Sequence, residues 1–86
     1  MNDVLVVDDD TRIIKLIEAG LRGRNYRIRT ATSGLNALNT IARHPPDVMV
    51  LDVQMPDLSG FEVCQRVRSN GAHSQIPILF LSAHVT

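Results

Sequence analysis

Three short stretches of the chain are apolar without interruption: Val4-Leu5-Val6-Val7, Val48-Met49-Val50-Leu51 and Ile78-Leu79-Phe80-Leu81. Runs of this length, rich in β-branched residues, predict strands covered on both faces of a parallel sheet. Tyr26-Arg27-Ile28-Arg29-Thr30 instead alternates with period two, which predicts a strand nearer an edge with one wet face. The stretches between them have helical spacing: Ile13, Ile14, Ile17 and Leu21; then Leu35, Leu38 and Ile41; then Phe61, Cys64 and Val67. Each has a start signal, with Asp10 or Thr11 placed to cap the first helix, Ser33 the second, and Ser59 with Glu62 forming a capping box for the third. Gly23, Pro45-Pro46 and Gly71 supply the stops.

Alternation of strand and helix predicts right-handed crossovers and an open α/β sheet, in which ligands sit beyond the carboxyl ends of the strands. The first run ends in Asp8-Asp9-Asp10, the third in Asp52 and the fourth in Ser82-Ala83. These polar endings are therefore expected to meet at one rim. The length of 86 residues allows a single domain, residues 1–86, with a modest core.

Charge narrows the chemistry to that rim. Nine basic and nine acidic residues give zero formal net charge, so no global field recruits nucleic acid or an anionic membrane. Arg22, Arg24, Arg27 and Arg29 cluster without interleaved aromatics and read as a solvated helix end and strand face. The single cysteine, Cys64, excludes an intramolecular disulfide and falls on an apolar stripe, where it reads as a small buried hydrophobe. With no signal peptide or long apolar span, a soluble cytoplasmic protein is expected. His44, His73 and His84 lack metal-ligand spacing, which argues against zinc.

Carboxylates from two neighbouring strand ends repel one another in a partly buried cleft, and a hard divalent cation relieves the repulsion. Mg2+ prefers oxygen ligands and binds through one or two carboxylates plus phosphate oxygens. It suits phosphoryl transfer, for which an aspartate can be the nucleophile. Aspartates after strands also form turns and caps, and Asp10 and Asp57 are read that way.

Three segments in order resemble the receiver domains of bacterial response regulators. Residues 4–10 resemble the family's first strand and acidic pair. Leu51-Asp52-Val53-Gln54-Met55-Pro56-Asp57-Leu58-Ser59-Gly60 resembles its phosphoacceptor segment, and Ile78-Leu79-Phe80-Leu81-Ser82-Ala83 its fourth strand. The resemblance implies a flavodoxin-like doubly wound parallel sheet in strand order 2-1-3-4. Asp52 would be the phosphoacceptor, Asp9 a direct Mg2+ ligand, Asp8 a ligand mainly through water, and Gln54 a ligand through its main-chain carbonyl. Ser82 would hydrogen-bond the phosphoryl group and report the phosphorylated state, Gly60 would begin the third helix near the site, and Met55-Pro56 would shape the loop leaving the acceptor strand. A histidine kinase or phosphotransfer protein would be the donor and an output domain the target. The domain would not be an enzyme in the ordinary sense, but would promote its own phosphorylation.

The chain departs from the pattern after its fourth strand. The family's lysine, fifth strand, aromatic switch residue, and fourth and fifth helices have no counterpart, and Lys15 is the only lysine. A receiver truncated after the fourth strand is expected, with an apolar edge prone to self-association. Two other classes compete. One is a receiver-like interaction module impaired in phosphorylation. The other is an aspartate-nucleophile phosphatase of the haloacid dehalogenase type, for which Asp8 and Asp10 have the right spacing, whereas Arg12 stands where that motif has Thr or Val. A flavodoxin-type nucleotide site would need a phosphate-cradling loop where three aspartates stand.

Overall fold

A computed structural model describes residues 2–81. Four parallel strands, β1 (Asn2–Val7), β2 (Tyr26–Ala31), β3 (Val48–Asp52) and β4 (Ile78–Leu81), alternate with helices α1 (Thr11–Leu21), α2 (Gly34–Arg43) and α3 (Gly60–Ser69). The sheet order is β2-β1-β3-β4, the expected flavodoxin-like arrangement. Ser82, one of the predicted site residues, lies outside the described residues.

The sheet divides the core in two. Leu5, Val7, Met49 and Leu51 point to the face covered by α2 and α3 and pack with Ala37, Ile41, Val63 and Val67. Val4 and Val6 point the other way, onto Ile14 of α1. This separation is the period-two alternation of strands applied to runs that are apolar on both faces.

The caps form as the sequence indicates. Asp10 accepts from the Arg12 N–H at the start of α1 and Ser33 from Asn36 N–H in α2, while Ser59 and Glu62 bond reciprocally at α3. After α1, Gly23 has φ 82°, a left-handed conformation that glycine adopts without steric cost.

The apolar stripes differ from expectation in phase. Leu35 and Phe61 are exposed, and the buried positions are Gly34, Ala37 and Ile41 in α2 and Gly60, Val63 and Val67 in α3. The small residues are buried because the first turns of both helices press against the chain, leaving no room there for large side chains. Cys64 is half-buried against the α2–α3 core, not fully enclosed. Arg29 does not belong to a solvated face: its Nε donates to Asp3 Oδ1 at 2.8 Å and its Nη2 to the His44 carbonyl at 2.7 Å. These bonds tie β2 to β1 and to the end of α2 at the amino-terminal side of the sheet.

Candidate functional site

The register fixes the site. β1 and β3 are neighbours with Val7 opposite Leu51, so the next residue of each, Asp8 and Asp52, emerge side by side at the carboxyl end of the sheet. Asp8 continues the pairing to β2, its N–H donating to the Ala31 carbonyl at 3.1 Å. Beyond Asp52, the Val53 N–H donates to the Leu81 carbonyl at 3.2 Å, which aligns this rim with the end of β4. One oxygen from each of Asp8, Asp9 and Asp52 lies within 4.8 Å of the others.

Asp8 and Asp52 are 4% and 6% exposed, so two carboxylates share a nearly dry corner. Among the described residues neither forms an ion pair: the salt bridges are Arg12–Asp10 and Arg29–Asp3. Burial pushes the Asp8 carboxyl above the usual carboxylate range, and the charges of Asp9 and Asp10 push the same way against the Asp10 N–H bond. Burial likewise raises Asp52, reinforced by the charges of Asp8 and Asp9 and opposed by the Gln54 N–H. The bonds that hold the pair are sparse. Asp8 Oδ1 accepts from Asp10 N–H at 2.8 Å, and Asp52 Oδ1 accepts a long bond of 3.4 Å from Gln54 N–H. An all-oxygen donor set with surplus negative charge suits a hard divalent cation.

Asp10 stands apart from this cluster. Its carboxylate accepts from the Arg12 N–H and from the Arg12 guanidinium, at 2.9 to 3.1 Å, which draws it to the start of α1. A phosphatase using Asp8 and Asp10 as its working pair is disfavoured by that geometry.

Residues 4–86 match the family described as response regulator receiver domain. The chain belongs to this family. "Response regulator MprA" from Mycobacterium sp. (strain KMS) is 44% identical to it over 80 residues, which are 93% of this receiver chain and 34% of that protein. Of solved structures, the N-terminal domain of a response regulator receiver protein from Methanoculleus marisnigri JR1 superposes with a TM-score of 0.92 at 34% identity, covering 100% of this chain and 70% of that one. The response regulator TrrA from Thermotoga maritima, in complex with Mg2+–BeF, superposes at 0.89 and 34% identity over 98% of this chain and 71% of its own. The receiver chain thus spans about a third of the length of the curated relatives it matches.

Two residues near the site carry more than their sequence signals suggest. Gly60 begins α3 with its N–H on the Val53 carbonyl at 2.8 Å, and a Cβ there would lie 2.2 Å from the Asp52 carbonyl oxygen. Its smallness lets α3 start directly against the end of β3. Asp57, read as a structural turn former or cap, caps a distant helix: its two oxygens accept from Gly34 N–H at 3.0 Å and Leu35 N–H at 2.8 Å in α2. No local pattern announces a cap supplied from 22 residues away.

Proposed function

We propose that this receiver domain accepts a phosphoryl group on Asp52 from a histidine kinase or phosphotransfer protein, with Mg2+ held by Asp8, Asp9, Asp52 and the main-chain carbonyl of Gln54. The observation that carries the reading is the convergence of three carboxylates within 4.8 Å, two of them buried and raised in pKa, with no basic partner among the described residues. A Mg2+–BeF complex of a relative of the same fold supports it. The domain is read as the amino-terminal portion of a cytoplasmic receiver that signals to an output domain, promoting its own phosphorylation rather than turning over a separate substrate.

In the proposed step an Asp52 carboxylate oxygen attacks phosphorus. The new O–P bond forms as the bond from phosphorus to the donor's imidazole nitrogen breaks, and the electron pair leaves with that nitrogen. Asp52 must be ionised to attack, and the Gln54 N–H helps keep it so against burial. Asp8 is oriented by the Asp10 N–H, while Asp9, exposed at the rim, is free to turn toward a ligand. Mg2+, when bound, would offset the charge of the carboxylates and of the transferred oxygens. Ser82 is the proposed hydrogen-bond donor to the phosphoryl group after transfer.

Incubation with acetyl phosphate and Mg2+, followed by borohydride reduction and peptide mapping, is expected to place the modification on Asp52 and to find none in Asp52→Asn. Modification of Asp8, or strong labelling of Asp52→Asn at another residue, would overturn the assignment.

A further inference from the structure

The loop between Asp52 and α3, residues 53–59, packs Met55 and Leu58 on the core and is hydrogen-bonded at its root and near its far end. At its root the Gly60 N–H donates to the Val53 carbonyl at 2.8 Å. Farther out, both carboxylate oxygens of Asp57 accept from the first two amides of α2, Gly34 at 3.0 Å and Leu35 at 2.8 Å. The first amides of a helix lack partners within it, so this contact satisfies two of them from another part of the chain. Next to it Leu58 packs on Gly34 so closely that a Cβ at Gly34 would lie 2.7 Å from the Leu58 Cβ. α2 also has its own cap, the Ser33 hydroxyl accepting from Asn36 N–H at 3.0 Å. The Asp57 contact is therefore more than a helix needs to start.

We infer that Asp57 is a positioning residue for the acidic site, clamping the loop that leaves Asp52 onto the first turn of α2. The inference rests on the reading of Asp52 and Gln54 as site residues. Gln54 lies in the clamped loop and its N–H is the only described bond to the Asp52 carboxylate. The backbone amides of Leu35 and Gly34 hold the Asp57 carboxyl below the usual range, so at neutral pH it is ionised and fully able to accept both bonds. Without the clamp the loop keeps its root and the apolar packing of Met55 and Leu58 on the core but loses its hydrogen bonds to α2, and Gln54 is held less firmly beside Asp52.

The test compares Asp57→Ala with Ser33→Ala in the full chain. Each removes one cap from α2, but only the first releases the loop. Two quantities are read: amide hydrogen exchange at Gln54 and Gly60 without metal, and Mg2+ affinity from amide chemical shifts. Asp57→Ala is expected to speed exchange at both amides about tenfold and to weaken Mg2+ binding about tenfold, as loss of a supporting contact around a metal site does. Ser33→Ala is expected to leave both near wild type. Asp57→Asn, which retains one acceptor oxygen, should fall between, and it takes the place of Asp57→Ala if that variant does not fold. Unchanged exchange at Gln54 and Gly60 in the Asp57 variants, or equal effects in Ser33→Ala, would overturn the clamp. A wild-type chain with no Mg2+-dependent shifts at Asp52 would overturn the metal reading instead, while the metal-free exchange would still judge the clamp.

Discussion

At the scale of single residues, the site consists of carboxylates placed where they are least comfortable. Two unit charges 4 Å apart interact by about 4 kcal/mol at an effective dielectric constant of 20, and water at the open rim reduces this. Neutralising one of the group should therefore stabilise the metal-free chain, with Asp52→Asn raising unfolding free energy by about 1 kcal/mol at neutral pH. The pH dependence has a definite sign. Asp8 and Asp52 have folded-state pKa values above the ordinary 3.8, so they bind protons more readily in the folded state. The destabilisation they cause is fully present above their folded values and is relieved as pH falls through them. Asp57 and Asp10 have lowered values. Their stabilising contribution is present above 3.8 and is lost only as pH falls through the lower folded values. Denaturant unfolding with a chelator present should thus show the Asp52→Asn advantage at pH 7 shrinking as the solution is acidified. An advantage independent of pH would argue that charge is not its cause.

At the scale of elements, α3 is the part most tightly tied to the site. Its start is set locally by the Ser59–Glu62 capping box, which is legible in sequence because both partners lie within one turn. Its docking is set by Gly60, where an added Cβ would meet the Asp52 carbonyl oxygen at 2.2 Å. Since the obstacle is main chain, it cannot rotate aside as a side chain would. Gly60→Ala is expected to lower stability by roughly 2–3 kcal/mol, at the upper end of overpacking changes, and to shift the Asp52 and Val53 amide resonances. Gly20→Ala is the matched comparison, because Gly20 lies inside α1 with nothing within 4 Å of an added Cβ. There alanine should stabilise by roughly 0.5–1 kcal/mol. Urea unfolding of both variants checks the pair, and a loss at Gly60 no larger than a few tenths would show that the strand end yields.

At the scale of the whole molecule, coverage of the sheet is uneven. Among the described residues β4 pairs only with β3. Leu79, opposite Val50 on the α1 face, is 62% exposed. Phe80 on the other face is 42% exposed and meets Phe61 of α3 with ring centroids 5.1 Å apart. Each 100 Å2 of apolar surface covered contributes about 2.5 kcal/mol, against a typical net stability of ~5–15 kcal/mol. The 86-residue polypeptide is therefore expected to associate as its concentration rises, covering β4 with another copy. Leu79→Lys should shift it toward monomer. Sedimentation across a concentration series, with amide exchange on β4, checks this. A concentration-independent monomer with strongly protected β4 amides would show that four strands and three helices suffice.

Features encoded within a turn or along one strand were legible before any tertiary contact is considered. The uninterrupted runs 4–7, 48–51 and 78–81 specified parallel strands, and Asp10, Ser33 and Ser59 specified helix starts, while the strand order followed from the family resemblance. The burial expected on both faces holds for 4–7 but not for 78–81, where Leu79 and Phe80 are exposed. Asp8, Asp9 and Asp52 were legible as a group because strand ends in a parallel sheet share one rim. Tertiary structure decided which apolar residues the helices bury: close approach put Gly34 and Gly60 inside and left Leu35 and Phe61 outside. It also drew Arg29 from an expected solvated face into bonds with Asp3 and the His44 carbonyl, and gave Asp57 to the start of α2. The Gly34, Arg29 and Asp57 contacts each depend on a partner more than 10 residues away in the chain, Gly60 meets the end of a different element, and hydrophobic spacing along one element carries no information about what another will press against it.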